Sequence, residues 1–212
     1  MTSIGVYLKK LVKRVEAASV NFWHSFTNRG HSILGFSQSP HDFYPEELTK
    51  TVGSIAPFVP SPMDVVRKMI ELAELKPGEV LYDLGCGDGR IVLMAAKEFG
   101  SRAVGVDLNM MLISEAEKKA RELGFSDSIR FIHGNMFDID LEPADVVTMY
   151  LLTSANERLR PKLESELRPC ARVVTHDFPL INWRYQSRID YDGDTGRHVL
   201  YLYVWKGHDP GT

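Results

Sequence analysis

From about residue 60 the chain alternates two kinds of apolar pattern. Val65, Val66, Met69, Ile70, Leu72 and Ala73 recur at three- and four-residue steps, which predicts a helix buried along one stripe. Ser61 is placed to cap it, Pro62 falls in its first turn and Asp64 lies near its positive end; Lys76-Pro77-Gly78 stops it. Short Val/Ile/Leu runs then predict strands over residues 80–84, 102–107, 129–133, 145–151 and 171–176. Between them lie helical patterns over about 90–99, 110–123 and 155–167, the first two closed by Gly100 and Gly124. Runs apolar on both faces suit parallel strands covered by helices on each side. The end breaks this rhythm: residues 185–191 and 197–205 read as two strands joined by the hairpin connection Asp192-Gly193-Asp194-Thr195-Gly196. The pattern predicts an α/β fold with a Rossmann-like, seven-stranded sheet, mostly parallel, closed by a C-terminal antiparallel hairpin.

The first residues follow another pattern. Ile4, Leu8, Leu11, Val12, Val15, Phe22 and Phe26 share a helical face, with basic residues mostly between them. Residues 1–30 carry Lys9, Lys10, Lys13, Arg14 and Arg29 against Glu16, a local charge of +4. The whole chain of 212 residues has a formal charge of -3, so the remainder is acidic at -7. Two readings of this leader stay open. One is a helix packed on its own domain or a partner; the other is an interfacial helix on anionic membrane through residues 1–26, anchored by Phe22 and Trp23. Residues 27–59 lack periodicity and read as a linker or lid, giving a division into an extension, 1–54, and a domain, 55–212. No apolar run reaches the length of a bilayer span. The two cysteines, Cys86 and Cys170, make a structural disulfide unlikely, since Cys86 sits in a glycine loop. A cytoplasmic setting, with peripheral membrane contact left open, is the expectation.

The chemistry concentrates in LYDLGCGDGRI, residues 81–91. Gly85, Gly87 and Gly89 carry a strand-to-helix turn in which backbone amides can approach a ligand. The dinucleotide pattern G-x-G-x-x-G would need glycine at position 90, where Arg90 stands, and no Gly-Lys-Ser/Thr of a phosphate loop occurs. Asp83, two residues before the first glycine, suits a cationic ammonium group. Asp107, with Leu108 after it, ends the next strand, where a carboxylate can accept from both ribose hydroxyls. Ammonium and ribose without a phosphate cradle describe S-adenosylmethionine. After the third strand, in HGNMFDID, Asn135 can accept the adenine amino group, Met136 and Phe137 can wall the ring, and Asp138 is the second candidate acceptor.

Three segments then carry a family resemblance: PFVPSPMDVVRKMIELAELKPGEVLYDLGCGDGR, ADVVTMYLLTSANERLRPKLESEL and RVVTHDF. They resemble the seven-strand protein-lysine methyltransferases that include small archaeal lysine methyltransferases and the mitochondrial enzymes acting on the ATP synthase c subunit and the adenine nucleotide translocator. The resemblance covers roughly residues 55–205 and implies a protein substrate with an accessible lysine. Thr153 departs from an expected proline and Asn135 from a common aspartate.

The acceptor should arrive at the end of the fourth strand, Tyr150-Leu151-Leu152-Thr153-Ser154. That stretch lacks the D/N-P-P-Y/F/W motif of N6-adenine enzymes and the cysteine of cytosine-C5 enzymes, so no specific nucleic-acid partner is expected. Tyr150 is the first candidate to orient a lysine amine, and Asp177 is expected to steer the substrate. Phe58, Pro60, Ser61, Ser154, His176, Trp183 and Tyr44 are candidates for the channel and lid. No metal centre is expected. A small-molecule or isoaspartyl-type O-methyltransferase, and a non-catalytic cofactor-binding module, stay open as alternatives.

Overall fold

The structure, a computed structural model, describes residues 58–207, which lie within a unit spanning Tyr44–Thr212. The basic leader, its anchors Phe22 and Trp23, and Tyr44 fall outside the described residues.

Helix α1 (Met63–Leu72) precedes β1 (Val80–Leu84), α2 (Arg90–Phe99), β2 (Arg102–Asp107), α3 (Met110–Glu122) and β3 (Ile129–His133). A short 3-10 turn (Met136–Asp138) leads to β4 (Val146–Met149), α4 (Thr153–Glu166), β5 (Arg172–His176), β6 (Ser187–Gly193) and β7 (Gly196–Val204). The strands form one seven-stranded sheet in the order β3-β2-β1-β4-β5-β7-β6. Strands β1 to β5 pair in parallel. Strand β7 is antiparallel to both β5 and β6. All four residues of β4 are buried, as a strand covered on both faces requires. Edge strand β6 instead alternates half-buried and exposed positions.

Local chemistry moved three boundaries from their sequence-based positions. Pairing in the hairpin continues to Gly193 and Gly196, so Asp194 and Thr195 alone form the turn. A two-residue turn matches the twist of the flanking strands better than the five-residue connection read from composition. Strand β4 ends at Met149, two residues early, which frees Tyr150 and Leu151 from the ladder. Pro62, not Ser61, stands at the N-cap of α1, without a side-chain cap. The Ser61 hydroxyl is committed elsewhere, 2.9 Å from Nδ1 of His176. Asp64, in the first turn of α1, accepts a hydrogen bond from the Asp194 backbone N–H at 2.8 Å and so ties the helix to the hairpin.

The core under α4 joins Leu159 and Leu163 of that helix to Val147 and Met149 of β4, Val173 of β5 and Tyr203 of β7. It fastens the antiparallel end of the sheet to its parallel half. Leu159 is fully buried, whereas Ile181 is 65% exposed. Leu159→Ala should therefore lower unfolding free energy by about 2–5 kcal/mol in urea denaturation, and Ile181→Ala should change it by no more than about 0.5 kcal/mol.

Candidate active site

The strand order turns at β1, with β2 on one side and β4 on the other. Chain leaving the carboxyl ends of these two halves diverges, and a cleft opens there. Both halves of the sheet and the segment before α1 contribute residues to its lining. Asp83 and Gly85 line it from the end of β1, Asp107 and Leu108 from the end of β2, and Met136 from the turn after β3. Phe58, Pro60 and Ser61 line it from the segment before α1, and Tyr150 from the end of β4.

Asp83 is set by register. It lies opposite Thr148 in the β1–β4 ladder, and the Thr148 hydroxyl donates to its Oδ1 at 2.8 Å. Burial pushes the Asp83 carboxyl up to about 7, against the hydrogen bond from Thr148 and with the charges of Asp107 and Asp88 adding to the rise. Asp107 is held by backbone: its Oδ2 accepts from the Gly87 N–H at 2.9 Å and its Oδ1 from the Asn109 N–H at 2.8 Å. Burial raises its pKa as well, despite these donors. Asn109 in turn caps α3 by accepting from the N–H groups of Met111 and Leu112.

Gly87 and Gly89 act through the backbone. Gly89 caps α2 with φ 77, and a Cβ there would come within 2.7 Å of Phe131 and 2.9 Å of Ala116. A side chain at position 89 would thus push α2 off its neighbours. The next residue, Arg90, is buried. Its guanidinium meets Asp88 at 2.9 Å through Nε and 2.5 Å through Nη2, and Nη1 donates to the Ser61 carbonyl at 2.7 Å. Arg90 therefore straps the segment before α1 onto the glycine loop. Phe58, from the same segment, covers Gly87 so closely that a Cβ on that glycine would overlap its ring.

Tyr150 leaves β4 with its ring stacked on His176 at 3.8 Å between centroids, and the Asp177 carboxylate lies close enough to its hydroxyl to act on it electrostatically. Burial, reinforced by the Asp177 charge, pushes the phenol above its ordinary range. His176 is fully buried beneath it, and burial lowers its pKa to about 4.

Several candidates lie elsewhere. Asn135 is exposed, and its amide oxygen caps the 3-10 turn by accepting from the Phe137 N–H at 3.1 Å; a short polar side chain bonds its nearest backbone donor first. Its neighbours Gly134 and Met136 line the cleft, and Asn135 itself does not. Phe137 is also outside the lining, with the Arg158 guanidinium over one face of its ring at 4.8 Å. Asp138 is exposed and absent from the lining. Trp183 is drawn away: it stacks on Trp205 at 5.3 Å, donates to Glu164 at 2.7 Å, and lines a separate surface groove. Ser154 is exposed in the first turn of α4. Thr153 opens that helix, a position proline also suits, so its departure from the family pattern leaves the turn geometry intact. Asp177 points to backbone and imidazoles rather than to open solvent: its Oδ1 accepts from the Val199 N–H at 2.8 Å. Thr148 and the Asp88–Arg90 pair were missed in the sequence. Arg90 was noticed only for what it excluded.

The profile of the ANTKMT methyltransferase domain matches residues 83–187. A protein-lysine N-methyltransferase of Saccharolobus islandicus is 44% identical over 72% of this chain and 95% of its own length. An adenine nucleotide translocase lysine N-methyltransferase of Mus musculus is 36% identical over 60% of this chain, which spans only 56% of that relative. Among solved structures, an RNA methyltransferase from Salinibacter ruber in complex with S-adenosyl-L-homocysteine is 41% identical, with a TM-score of 0.68 over 73% of this chain and 98% of that one.

The raised carboxyl of Asp83 has a consequence for stability. Between its ordinary value of 3.8 and about 7, the folded protein holds a proton that the unfolded chain has released. That contribution is present in full below about pH 4 and is lost as pH rises through about 7. Asp83→Asn removes the dependence while keeping an acceptor for Thr148. The ligand-free variant should gain up to about 4 kcal/mol over wild type at pH 8 and far less at pH 4.5, read by denaturant unfolding at both pH values.

Proposed function

The chain belongs to the ANTKMT methyltransferase-domain family and is an S-adenosylmethionine-dependent methyltransferase, and from that premise we propose that its methyl acceptor is the side-chain amine of a lysine in a protein. One observation carries the proposal: 44% identity across 95% of an archaeal protein-lysine N-methyltransferase. S-adenosylmethionine, held by Asp83 and Asp107, would supply an electrophilic methyl carbon to a neutral lysine amine and leave as an uncharged thioether, the methylated amine taking on the positive charge or losing a proton to solvent.

The chain's own residues divide the remaining work. Asp83, Asp88 and Asp107 border the cleft against the single guanidinium of Arg90, a field that favours a cation. Asp83 is assigned to the cofactor's ammonium group and Asp107 to its ribose. Leu108 and Met136 give the adenine apolar contact, with Gly134 approaching through its backbone. Phe58, Pro60 and Ser61 cover the methionine end, held there by Arg90.

A lysine amine has an ordinary pKa of about 10.4, so the enzyme must take it up neutral or help it lose a proton. Tyr150 keeps its own proton at neutral pH, since its pKa lies above the ordinary range. It is suited to orient the amine by accepting an N–H at its hydroxyl oxygen, and not to act as a base.

A second reading, an RNA acceptor, is favoured by the description of the Salinibacter relative. Against it stand the charge of -7 outside the first 30 residues and the absence of a base-binding motif at Tyr150–Ser154. Incubation with labelled S-adenosylmethionine and mixed protein and RNA should put label on methyl-lysine after acid hydrolysis. Label confined to RNA, or released by mild base as methyl ester, overturns the lysine assignment.

Two variants test the division of work. Asp107→Ala should weaken binding of S-adenosylmethionine by about 1–3 kcal/mol in calorimetry, the usual loss of charge-assisted hydrogen bonds. Tyr150→Phe should lower kcat by roughly 10-fold, less than the roughly 10²–10⁴-fold expected of a general base, and leave cofactor affinity within about twofold.

A further inference from the structure

We propose that His176, Asp177 and His198 form a binding site for a divalent transition-metal ion, zinc being the best match. Strand β5 ends at His176, and β7 runs back beside it, so His198 arrives 22 residues later in sequence but in contact. Three atoms face one another. Nε2 of His176 lies 2.9 Å from Nδ1 of His198, and Oδ2 of Asp177 lies 3.4 Å from the first and 3.5 Å from the second.

These separations suit one shared ion. Tetrahedral zinc with bonds of about 2.0–2.1 Å sets its ligand atoms about 3.3–3.4 Å apart. A point about 2 Å from all three atoms lies close to the plane they define. A hydrogen bond between the imidazoles accounts for the 2.9 Å contact. Oδ2 of Asp177, at 3.4 and 3.5 Å from the two rings, lies beyond ordinary hydrogen-bond distance and close to the ligand spacing about a shared ion.

The far side of each ligand is also held. Nδ1 of His176 meets the Ser61 hydroxyl at 2.9 Å, and Nε2 of His198 meets the Thr195 hydroxyl at 3.0 Å. Oδ1 of Asp177 accepts from the Val199 N–H at 2.8 Å. Such outer contacts fix ring orientation and turn the inner atoms toward one another, where an ion would replace the hydrogen bond between the two rings. Asp177 adopts φ 58 to reach this position, a left-handed conformation that costs a non-glycine residue energy and persists where the surroundings demand it.

The donor set of two imidazoles and one carboxylate suits zinc and its first-row neighbours better than calcium or magnesium. His176 is fully buried, while the side chains of Asp177 and His198 keep 29% and 13% of their surface exposed, which gives an ion a route in. Tyr150 stacks on His176 and lines the cleft, so occupancy would brace that wall and pin the hairpin to β5. This inference does not depend on the identity of the methyl acceptor.

The test uses the full chain, stripped of metal by chelator and titrated with Co²⁺, followed by Zn²⁺ competition against a chromophoric chelator. Wild type should develop the visible bands of four-coordinate cobalt and take up one equivalent of Zn²⁺ per chain. His198→Gln and Asp177→Asn, each checked for folding by circular dichroism, should bind at least about 10-fold more weakly. A wild type with no cobalt bands and no uptake overturns the proposal. So do two folded variants that bind as tightly as wild type, because the metal then sits elsewhere.

Discussion

A carboxylate that cannot reach water organises this protein. Asp83 must stand where β1 ends, because the strand order turns there and the cleft opens between β1 and β4. Burial raises its pKa to about 7, an energetic cost that only a hydrogen bond or a cation can offset. Thr148 supplies the hydrogen bond from the paired position on β4. The register of two parallel strands thus becomes a property of the site. A one-residue slip would turn Asp83 and Thr148 to opposite faces and leave a buried acid alone.

The glycine loop is held by the same economy of groups. Its backbone N–H at Gly87 is bound by Asp107 from the next strand, and Gly85 and Cys86 donate to the Val106 carbonyl. The loop therefore presents carboxylates, and a pyrophosphate would meet like charge there. Arg90, at the position a dinucleotide site reserves for glycine, is neutralised by Asp88 and donates from Nη1 to the Ser61 carbonyl. A buried ion pair of this kind adds little net stability. Its effect is positional: it docks Phe58, Pro60 and Ser61 over the loop, so the cleft has a cover as well as a floor.

The antiparallel end of the sheet does related work for Tyr150. Without β7 between β5 and β6, His198 would have no route to His176, and the stacked Tyr150 would lose the support beneath its ring. The hairpin is secured from the other side by Asp64 of α1. The acceptor side of the cleft thus depends on the strand pair that departs from a plain parallel fold, and on its packing beneath α4.

Much of this was legible in the residues. Alternating apolar periods located the seven strands and their helices to within about two residues, because burial on two faces leaves a continuous apolar run in the parallel strands that local sequence cannot hide. Asp83, the glycines and Asp107 declared a ligand without phosphate, because each occupies the end of a strand, a place defined by chain order. Where a side chain's partner lies far along the chain, the residues were silent or misleading. Ser61 and Asn135 look like donors or acceptors for helix and ligand alike, and only packing decided that Ser61 meets His176 while Asn135 meets its own backbone. Trp183 looked like a channel wall until Trp205 claimed its face. His176, Asp177 and His198 share no spacing that suggests a cluster. Antiparallel pairing across 22 residues brings them together, and pairing of that kind is a property of the sheet and not of any stretch of sequence.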